Sequence, residues 1–572
     1  MNVFHFFKDI ISIAINNNFS LSINLDRINL EYPKDKRFGD MSTNAAIIVS
    51  KLKSLPVSEV AQNLVLELSK HVYIQDIHYV SNGLINFTLK NKFWLHFLKD
   101  MILQGDNYPV FKTKEKKVNV EFVSANPTGP LHIGHVKSAV FGDVISNVLD
   151  KCGYEVTREY YLNDSGTQID ELIESLNVRY LAFVENTNKD LKTYYQGEYL
   201  IRLAKKLYDK YGSSLQRMNA HQKTKLMKKF VLREIIVLIK KDLYDLGVKH
   251  DLFTSETEII NSQSSDSVIR LLQDMNLIYR GHLEKPKTQD LKYYSKTNKH
   301  VIFRSTKFGD DKDRVMIKSN NEYTYFASDV LYHADKISRG YDSLIVFLGS
   351  DHIGYEKRIT GIVKSLGNDK VPLRIKFCQL VKLKQNDISV KMSKRLNNFV
   401  SLRNLLDSVG PDALRFEILK KSADTPIDFD VLKLQQKSKD NPIFYVQYAS
   451  SRIHSLLRKA ESIWGYIDYS KVELDNINSI HEIDIIKNLA HYPKILEASV
   501  KSLDPHKIVY YIYNLSQIIH QFWNVGKINH EYKFINESFK SQSQSRMALV
   551  KAMSLIFSSC LNLLGVKPLK KM

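Results

Sequence analysis

Beyond residue 132, apolar residues recur at every fourth position, Val136, Val140, Val144 and Val148, and the run V-N-V-E-F-V starting at Val118 precedes them. This pattern predicts a buried strand, a turn on Asn126, Pro127, Gly129 and Pro130, and then a helix that Gly153 can end. Glu155 to Leu162 reads as a second strand with the exit loop Asn163-Asp164-Ser165-Gly166-Thr167-Gln168. Strand, helix and strand in that order imply a parallel α/β sheet whose ligands sit at the carboxyl ends of its strands. Ser124, Asn126 and Asn163 are therefore expected around one crevice.

On either side the pattern changes. Residues 1–113 read as a small α+β unit: Phe7, Ile11 and Ile15 mark an amphipathic helix, and Ser81-Asn82-Gly83 marks a hairpin, because Asn-Gly accepts positive φ. Ser42, Thr43 and Asn44 offer caps for a helix through Ala45 to Ile48. Residues 169–246 turn helical and lysine-rich, as an insertion in the α/β unit of 114–430. Pro411 opens a further helix, and 431–572 read almost wholly as helices with single apolar faces, such as Ile508, Tyr511, Ile512, Leu515, Ile519 and Phe522.

Composition narrows the class. With 44% apolar and 25% charged residues the 572-residue chain is an ordinary globular one, and 82 Lys+Arg against 62 Asp+Glu leave a formal +20 that suits a polyanionic partner such as a folded RNA. A lysine-rich surface kept for solubility would show the same surplus. Cys152, Cys378 and Cys560 are far apart, so neither a disulfide framework nor a thiolate zinc site is expected, and a reducing compartment fits. The N-terminus lacks the features of a signal peptide, and no run is read as a membrane span, so the expectation is a cytoplasmic protein without a membrane partner.

The candidate chemistry starts at His132 and His135, three apart on the first helical turn, where free N–H groups and the helix dipole favour an anion. Gly134 has no Cβ, so a flat ring can lie against the backbone there. Far downstream, Lys391-Met392-Ser393-Lys394-Arg395 places two point charges in a polar stretch, suited to the outer phosphates of a nucleotide. Histidine capping, or a solvated basic turn, would account for either motif alone. Together they resemble the H-I-G-H and K-M-S-K-S signatures of class I aminoacyl-tRNA synthetases. The wording V-E-F-V-S-A-N-P-T-G-P-L-H-I-G-H, R-E-Y-Y-L-N-D-S-G-T-Q-I, G-D-D-K-D-R-V and N-P-I-F-Y-V-Q-Y-A-S-S-R-I resembles the arginyl-tRNA synthetase family, in the family's order and over nearly the whole chain.

Tyr325 and Asp329, four apart, share a face if a helix starts near Tyr325: a carboxylate beside an aromatic ring suits a guanidinium. The competing reading is a core tyrosine and an aspartate satisfied by Arg339 or Lys336. Asp351 and His352 follow the short strand Leu344 to Leu348 and can face a nucleotide, or Asp351 can cap a helix. Asp310, Asp311 and Asp313 are close together, but the interleaved Lys312 and Arg314 favour a charged turn over a metal site.

The resemblance implies a Rossmann-like class I catalytic domain (114–430, lysine loop 390–395), an α+β N-terminal domain (1–113), which the G-D-M-S-T-N-A-A run resembles and which in the family touches the tRNA elbow, and an all-α anticodon-binding bundle (431–572). A turn with a helix cap would account for the same G-D-M-S-T-N-A-A residues. It implies that arginine is activated by ATP with Mg2+ and passed to tRNA(Arg), by a monomer without protein-bound zinc, and that activation requires bound tRNA. Residue by residue, it implies that His132, His135, Lys391 and Lys394 are catalytic. ATP contacts would come from Pro130, His132, Gly134, His135, Asp351, His352, Met392 and Ser393, and arginine contacts from Glu121, Ser124, Asn126, Tyr325 and Asp329. Two departures stand out: many relatives have a degenerate lysine loop where this chain keeps both lysines, and the chain ends Lys570-Lys571-Met572 where relatives commonly have an acidic-then-basic ending.

Overall fold

The computed structural model describes residues 2–33, 35–187, 193–282, 299–367, 370–385, 388–390, 400–436 and 441–572. At its centre is a parallel sheet of β1 (Lys117–Glu121), β2 (Glu155–Leu162), β3 (Leu252–Ser255), β4 (Ser343–Gly349) and β5 (Leu373–Cys378), in the order β5-β4-β1-β2-β3. The order reverses direction between β1 and β4, which opens a crevice at their carboxyl ends, where such sheets bind ligands. Helix Ile133–Lys151 links β1 to β2. It is buried on nearly every side, because the sheet covers one face and helices Leu402–Leu419 and Tyr492–Ser502 cover the other. Gly142 sits where the helix meets the end of β1; a Cβ there would lie 2.1 Å from Phe122 Cγ.

Three helices, Thr167–Val184, Glu198–Tyr211 and Ala220–Asp245, lie between β2 and β3. A three-stranded antiparallel sheet (Ile278–Gly281, His300–Phe303, Arg314–Ile317) then leads into helix Tyr325–Ser338. Strands Val381–Gln385, Ile388–Val390 and Ile427–Asp430 form a second small sheet, whose last strand adds β-structure where helix was expected beyond Asp428. The helix read as opening at Pro411 begins earlier, at Leu402, and breaks at Gly410 (φ 76°), so Pro411 starts its second segment.

In the N-terminal unit a four-stranded antiparallel sheet packs on helices that include Val3–Phe19, whose Phe7, Ile11 and Ile15 are buried as their spacing predicts. The hairpin at Ser81-Asn82-Gly83 forms between Ile74–Tyr79 and Ile85–Leu89; of the pair only Gly83 takes positive φ, while the Asn82 side chain accepts from Leu84 N at 3.1 Å. Asn44 precedes helix Ala45–Lys53, but its side chain accepts from Asn29 N rather than capping. In the G-D-M-S-T-N-A-A run Gly39, Ser42 and Asn44 are part-buried and the other residues are buried. Met41, Thr43, Ala45 and Ala46 are buried, and Asp40, 7% exposed, accepts from Leu89 N and pairs with Lys487 of the C-terminal bundle at 2.5 Å.

The bundle comprises helices Pro442–Trp464, Ile480–Ala490, Tyr492–Ser502, His506–Ile528 and Lys540–Leu564. Contrary to expectation, the last is long and apolar enough to cross a membrane, yet 78% of its most apolar window is buried within the protein, as for a core helix. Its carboxyl end is fixed by Arg415, fully buried, which donates to Leu564 O at 2.8 Å, to Leu246 O at 3.2 Å and to Asp143 at 2.5 Å. One guanidinium thus joins bundle, helical insertion and central helix, with its charge paired and its donors used.

Candidate active site

Where β1 ends, the chain leaves the sheet through two non-glycine residues of positive φ, Val123 (70°) and Ser124 (39°). For a β-branched residue this is a strained backbone, of the kind that surrounding contacts must hold and that collects at functional sites. The contacts are present: Val123 N donates to Ser138 Oγ at 3.0 Å, and Tyr161 N donates to Ser124 Oγ at 3.1 Å. Ser124 in turn donates to Glu121 Oε1 at 2.9 Å, and the Asn126 amide donates to Gln168 at 2.9 Å across the exit loop of β2. Ser124, Asn126 and the Asn163 loop do share the crevice.

The turn that follows is propped by the helical insertion. Tyr199 donates to Thr128 O at 2.6 Å, and its ring would lie 2.9 Å from a Cβ at Gly129. His132 is the N-cap of helix Ile133–Lys151: its Nδ1 accepts from Gly134 N at 3.1 Å, and His132 N donates to His135 Nδ1 at 3.3 Å. The two rings stack with centroids 3.9 Å apart. A Cβ at Gly134 would come within 2.9 Å of the His132 ring, so glycine is what lets the imidazole lie on the backbone. Both rings therefore cap, and both stand at a helix start beside the crevice. Pro130 is part-buried in the same turn.

Lys391, Met392, Ser393 and Lys394 lie outside the described residues. Their chain neighbours do not: Ser401 pairs with His132 in an antiparallel bridge, and Leu402 N donates to Leu131 O at 2.8 Å. Ser401, seven positions past Lys394 in the sequence, therefore lies on the histidine turn, although 270 positions separate Leu131 and Ser401.

Across the crevice, helix Tyr325–Ser338 begins at Tyr325 and carries Tyr325, Asp329, Tyr332, Lys336 and Arg339 at alternating spacings of four and three, one face of the helix and its cap. Tyr325, 61% exposed, places its hydroxyl 2.6 Å from where a Cβ at Gly166 would be, above the β2 exit loop. Arg339 and Lys336 do not satisfy Asp329. Arg339 binds Glu159 at 3.0 Å and Asp335 at 3.1 Å, and Lys336 pairs with Glu121. Among the described residues the Asp329 carboxylate has no hydrogen-bond partner. Burial first, then the Glu256 and Glu121 carboxylates, push its carboxyl up to about 7, against a smaller opposing effect of Arg358. Glu121, 6% exposed, has both oxygens engaged: Oε2 by Lys336 and by Tyr332 Oη at 3.0 Å, Oε1 by Ser124.

Asp351 and His352 follow β4, on the other side of the reversal from β1, in a short 3-10 turn Ser350–Tyr355. Both are exposed, with His352 Nε2 3.6 Å from Asp351 Oδ2, and the N-cap of the turn is Gly349 rather than Asp351. Glu256 escaped the sequence reading. It follows β3 directly, is 3% exposed, and accepts from Ser165 Oγ at 2.9 Å. An acidic residue just past the strand-like L-F-T-S was the available signal. Lys336, Tyr332 and Gln168 were also missed, because their partners lie on other elements.

Three family models cover most of the chain: "Arginyl tRNA synthetase N terminal domain" matches 5–89, "tRNA synthetases class I (R), catalytic domain" 97–430, and "DALR anticodon binding domain" 446–572. Arginine–tRNA ligases of Rickettsia felis and Rickettsia bellii are 40% and 41% identical to it over 579 aligned residues, covering all of both chains in each case. A Campylobacter jejuni structure described as an arginyl-tRNA synthetase shares 29% identity with a TM-score of 0.72, over 85% of this chain and all of that one. The Thermus thermophilus arginyl-tRNA synthetase shares the fold at 19% identity with a TM-score of 0.73, over the full length of both.

Proposed function

The chain belongs to the arginyl-tRNA synthetase family, and from that premise we propose how its residues divide the work. The enzyme is an arginine–tRNA ligase of class I. Its substrates are ATP, L-arginine and tRNA(Arg): the arginine carboxylate attacks the α-phosphate of ATP, pyrophosphate leaves, and the arginyl group passes to the terminal ribose of the tRNA. The observation that supports the division of labour is that the histidine turn and the Glu121–Ser124 turn both follow the carboxyl end of β1, while Asp329, beside Glu121 and Glu256, has no hydrogen-bond partner among the described residues.

On the phosphate side, His132 and His135 hold charge that grows on the α-phosphate, with Pro130 and Gly134 keeping the approach open. Lys391 and Lys394, with Met392 and Ser393 between them, take the departing pyrophosphate, and Mg2+ enters with the nucleotide. Asp351 and His352 face the nucleotide from β4. On the amino-acid side, Asp329 and Tyr325 take the guanidinium with Glu121, while Ser124 and Asn126 orient the reacting end. Positioning and charge neutralisation suffice, with no covalent enzyme nucleophile. In the same reading 1–113 is the N-terminal domain, 114–430 the catalytic domain and 431–572 the anticodon-binding domain. The enzyme works as a monomer in the cytoplasm, which suits its three buried free thiols, and it activates arginine only with tRNA bound.

The test is arginine-dependent exchange of labelled pyrophosphate into ATP, with and without tRNA(Arg), for wild type and His135→Ala. The variant is expected to lose about two to three orders of magnitude in kcat while the Kd for ATP changes little. Equal kcat would remove the histidines from the chemistry, and exchange without tRNA would remove the tRNA requirement.

A further inference from the structure

Glu121 of β1 and Glu159 of β2 are register partners on adjacent parallel strands, 6% and 0% exposed. Two carboxylates side by side in a buried sheet cannot both stay ionised unless cations are brought to them. Helix Tyr325–Ser338 brings one, Lys336, and its C-cap Arg339 brings the other. Arg339 lies on Glu159, which also accepts from Asn119 at 2.6 Å and Thr254 at 2.5 Å; burial would raise the Glu159 carboxyl, but Lys336 and Arg339 together bring it below its usual range. Lys336, with no exposed surface, pairs with Glu121 Oε2 and stands 4.3 Å from the centre of the Tyr332 ring, whose hydroxyl donates to the same oxygen.

We infer that Lys336 is a positioning residue for arginine: a resident cation that pairs with Glu121 and commits its Oε2, leaving the second lone pair of Oε1 for the substrate. The inference rests on the assignment of Glu121 and Asp329 to the arginine pocket. With Oε2 held by Lys336 and Tyr332, the remaining acceptor is Oε1, bridged by the Ser124 hydroxyl to the strained turn after β1. Lys336 and Asp329 lie seven apart on the same helix face, so the contact that fixes Glu121 also fixes the height at which Asp329 meets it.

The experiment compares Lys336→Met, Lys336→Met/Glu159→Gln and Asp329→Asn by steady-state pyrophosphate exchange with tRNA present. Lys336→Met should raise the KM for arginine at least tenfold, with the KM for ATP within about twofold of wild type. Removing the Glu159 charge in the same chain should recover at least threefold, because the remaining Glu121 and Arg339 charges balance. A packing role alone would give no recovery. An arginine KM for Lys336→Met within twofold of wild type, or a double variant no better than the single one, overturns the inference. If Lys336→Met is recovered unfolded, the double variant decides: a folded enzyme saturable by arginine is expected, and a second unfolded protein overturns it. Asp329→Asn separates the two levels. If it raises the arginine KM while Lys336→Met does not, only the role of Lys336 falls; if neither does, the pocket assignment falls with it.

Discussion

Asp310, Asp311 and Asp313 lie within four positions of one another, whereas Glu121, Glu256 and Asp329 come from three separate elements, and the two groups are neutralised to very different degrees. In the first, Arg314 binds Asp310 through Nε and Nη2, both at 2.8 Å, and also pairs with Asp311, while Asp313 accepts from Thr306 N at 3.1 Å and Thr306 Oγ1 at 2.7 Å. Burial pushes the Asp310 carboxyl up, but the hydrogen bonds from Arg314 and Asp311 more than reverse this, so it sits well below the usual range. In the second group, Asp329 is pushed up to about 7 and has no hydrogen-bond partner among the described residues. Nearness in sequence produced a self-neutralising turn. Nearness in space left one acid, Asp329, without a hydrogen-bond partner among the described residues, and in the proposed pocket that acid would take the external cation.

The sharpest way to break the comparison is to neutralise one acid from each group. Asp329→Asn should raise the KM for arginine by about two orders of magnitude, on the order of 3 kcal/mol for one partner of a desolvated charge pair, with the KM for ATP nearly unchanged. Asp310→Asn should leave both KM values within about twofold and lower unfolding stability by roughly 1–3 kcal/mol, because Arg314 loses its bidentate partner. Steady-state exchange and chemical denaturation read these. An arginine KM that moves with Asp310 and not with Asp329 would reverse the roles of the two groups.

A smaller effect concerns pH. The guanidinium stays protonated throughout the accessible range, so in the proposed pocket it would bind the ionised form of Asp329. Between pH 8 and pH 6 the Kd for arginine should therefore weaken about tenfold, following a single proton near the value of about 7. The profile should flatten in Asp329→Asn. In Glu256→Gln its midpoint should move to lower pH, since the first-named neighbouring carboxylate is gone. Titration calorimetry at constant ionic strength measures this, and a midpoint unmoved in Glu256→Gln would detach Glu256 from the pocket.

Much of the architecture was legible because it is written in local pattern. The bounds of β2, the start of helix Tyr325–Ser338 and the hairpin at Gly83 follow from periodicity and turn chemistry within a few residues. The histidine turn was legible for the same reason, since cap, glycine and ring are neighbours in the chain. What the pattern hid was long-range pairing. Nothing near Asp40 announces Lys487, the partner it meets on the C-terminal bundle. Nothing near Lys336 announces Glu121, and a lysine on a helix is ordinarily a solvated one. Glu256 was within reach, as a strand-exit acid, but its significance depends on Asp329 lying opposite. The strain at Val123 is invisible in the sequence, because a valine there advertises continued strand.

The smallest expected effect is also the one in which the two groups should differ in sign. For Asp329 the folded value of about 7 lies above the ordinary 3.8, so the folded enzyme holds this proton more tightly than the unfolded chain. As pH rises from about 4 to about 7, the unfolded carboxyl ionises first and the group subtracts stability, by its full amount above pH 7. Asparagine removes the titration, so Asp329→Asn should melt higher than wild type at pH 8, and the difference should vanish near pH 4. Asp310 runs the other way: its folded value is depressed, so its contribution is present above the unfolded value and lost as pH falls through the folded one. Asp310→Asn should melt lower than wild type at pH 8. Saturating arginine should close the gap for Asp329→Asn by raising the wild-type Tm and leaving the variant's nearly unmoved, because only wild type gains from binding. Differential scanning fluorimetry at pH 4, 6 and 8 reads all of this, and a lower Tm for Asp329→Asn at pH 8 would show that Asp329 is held by partners and belongs with the self-neutralised acids.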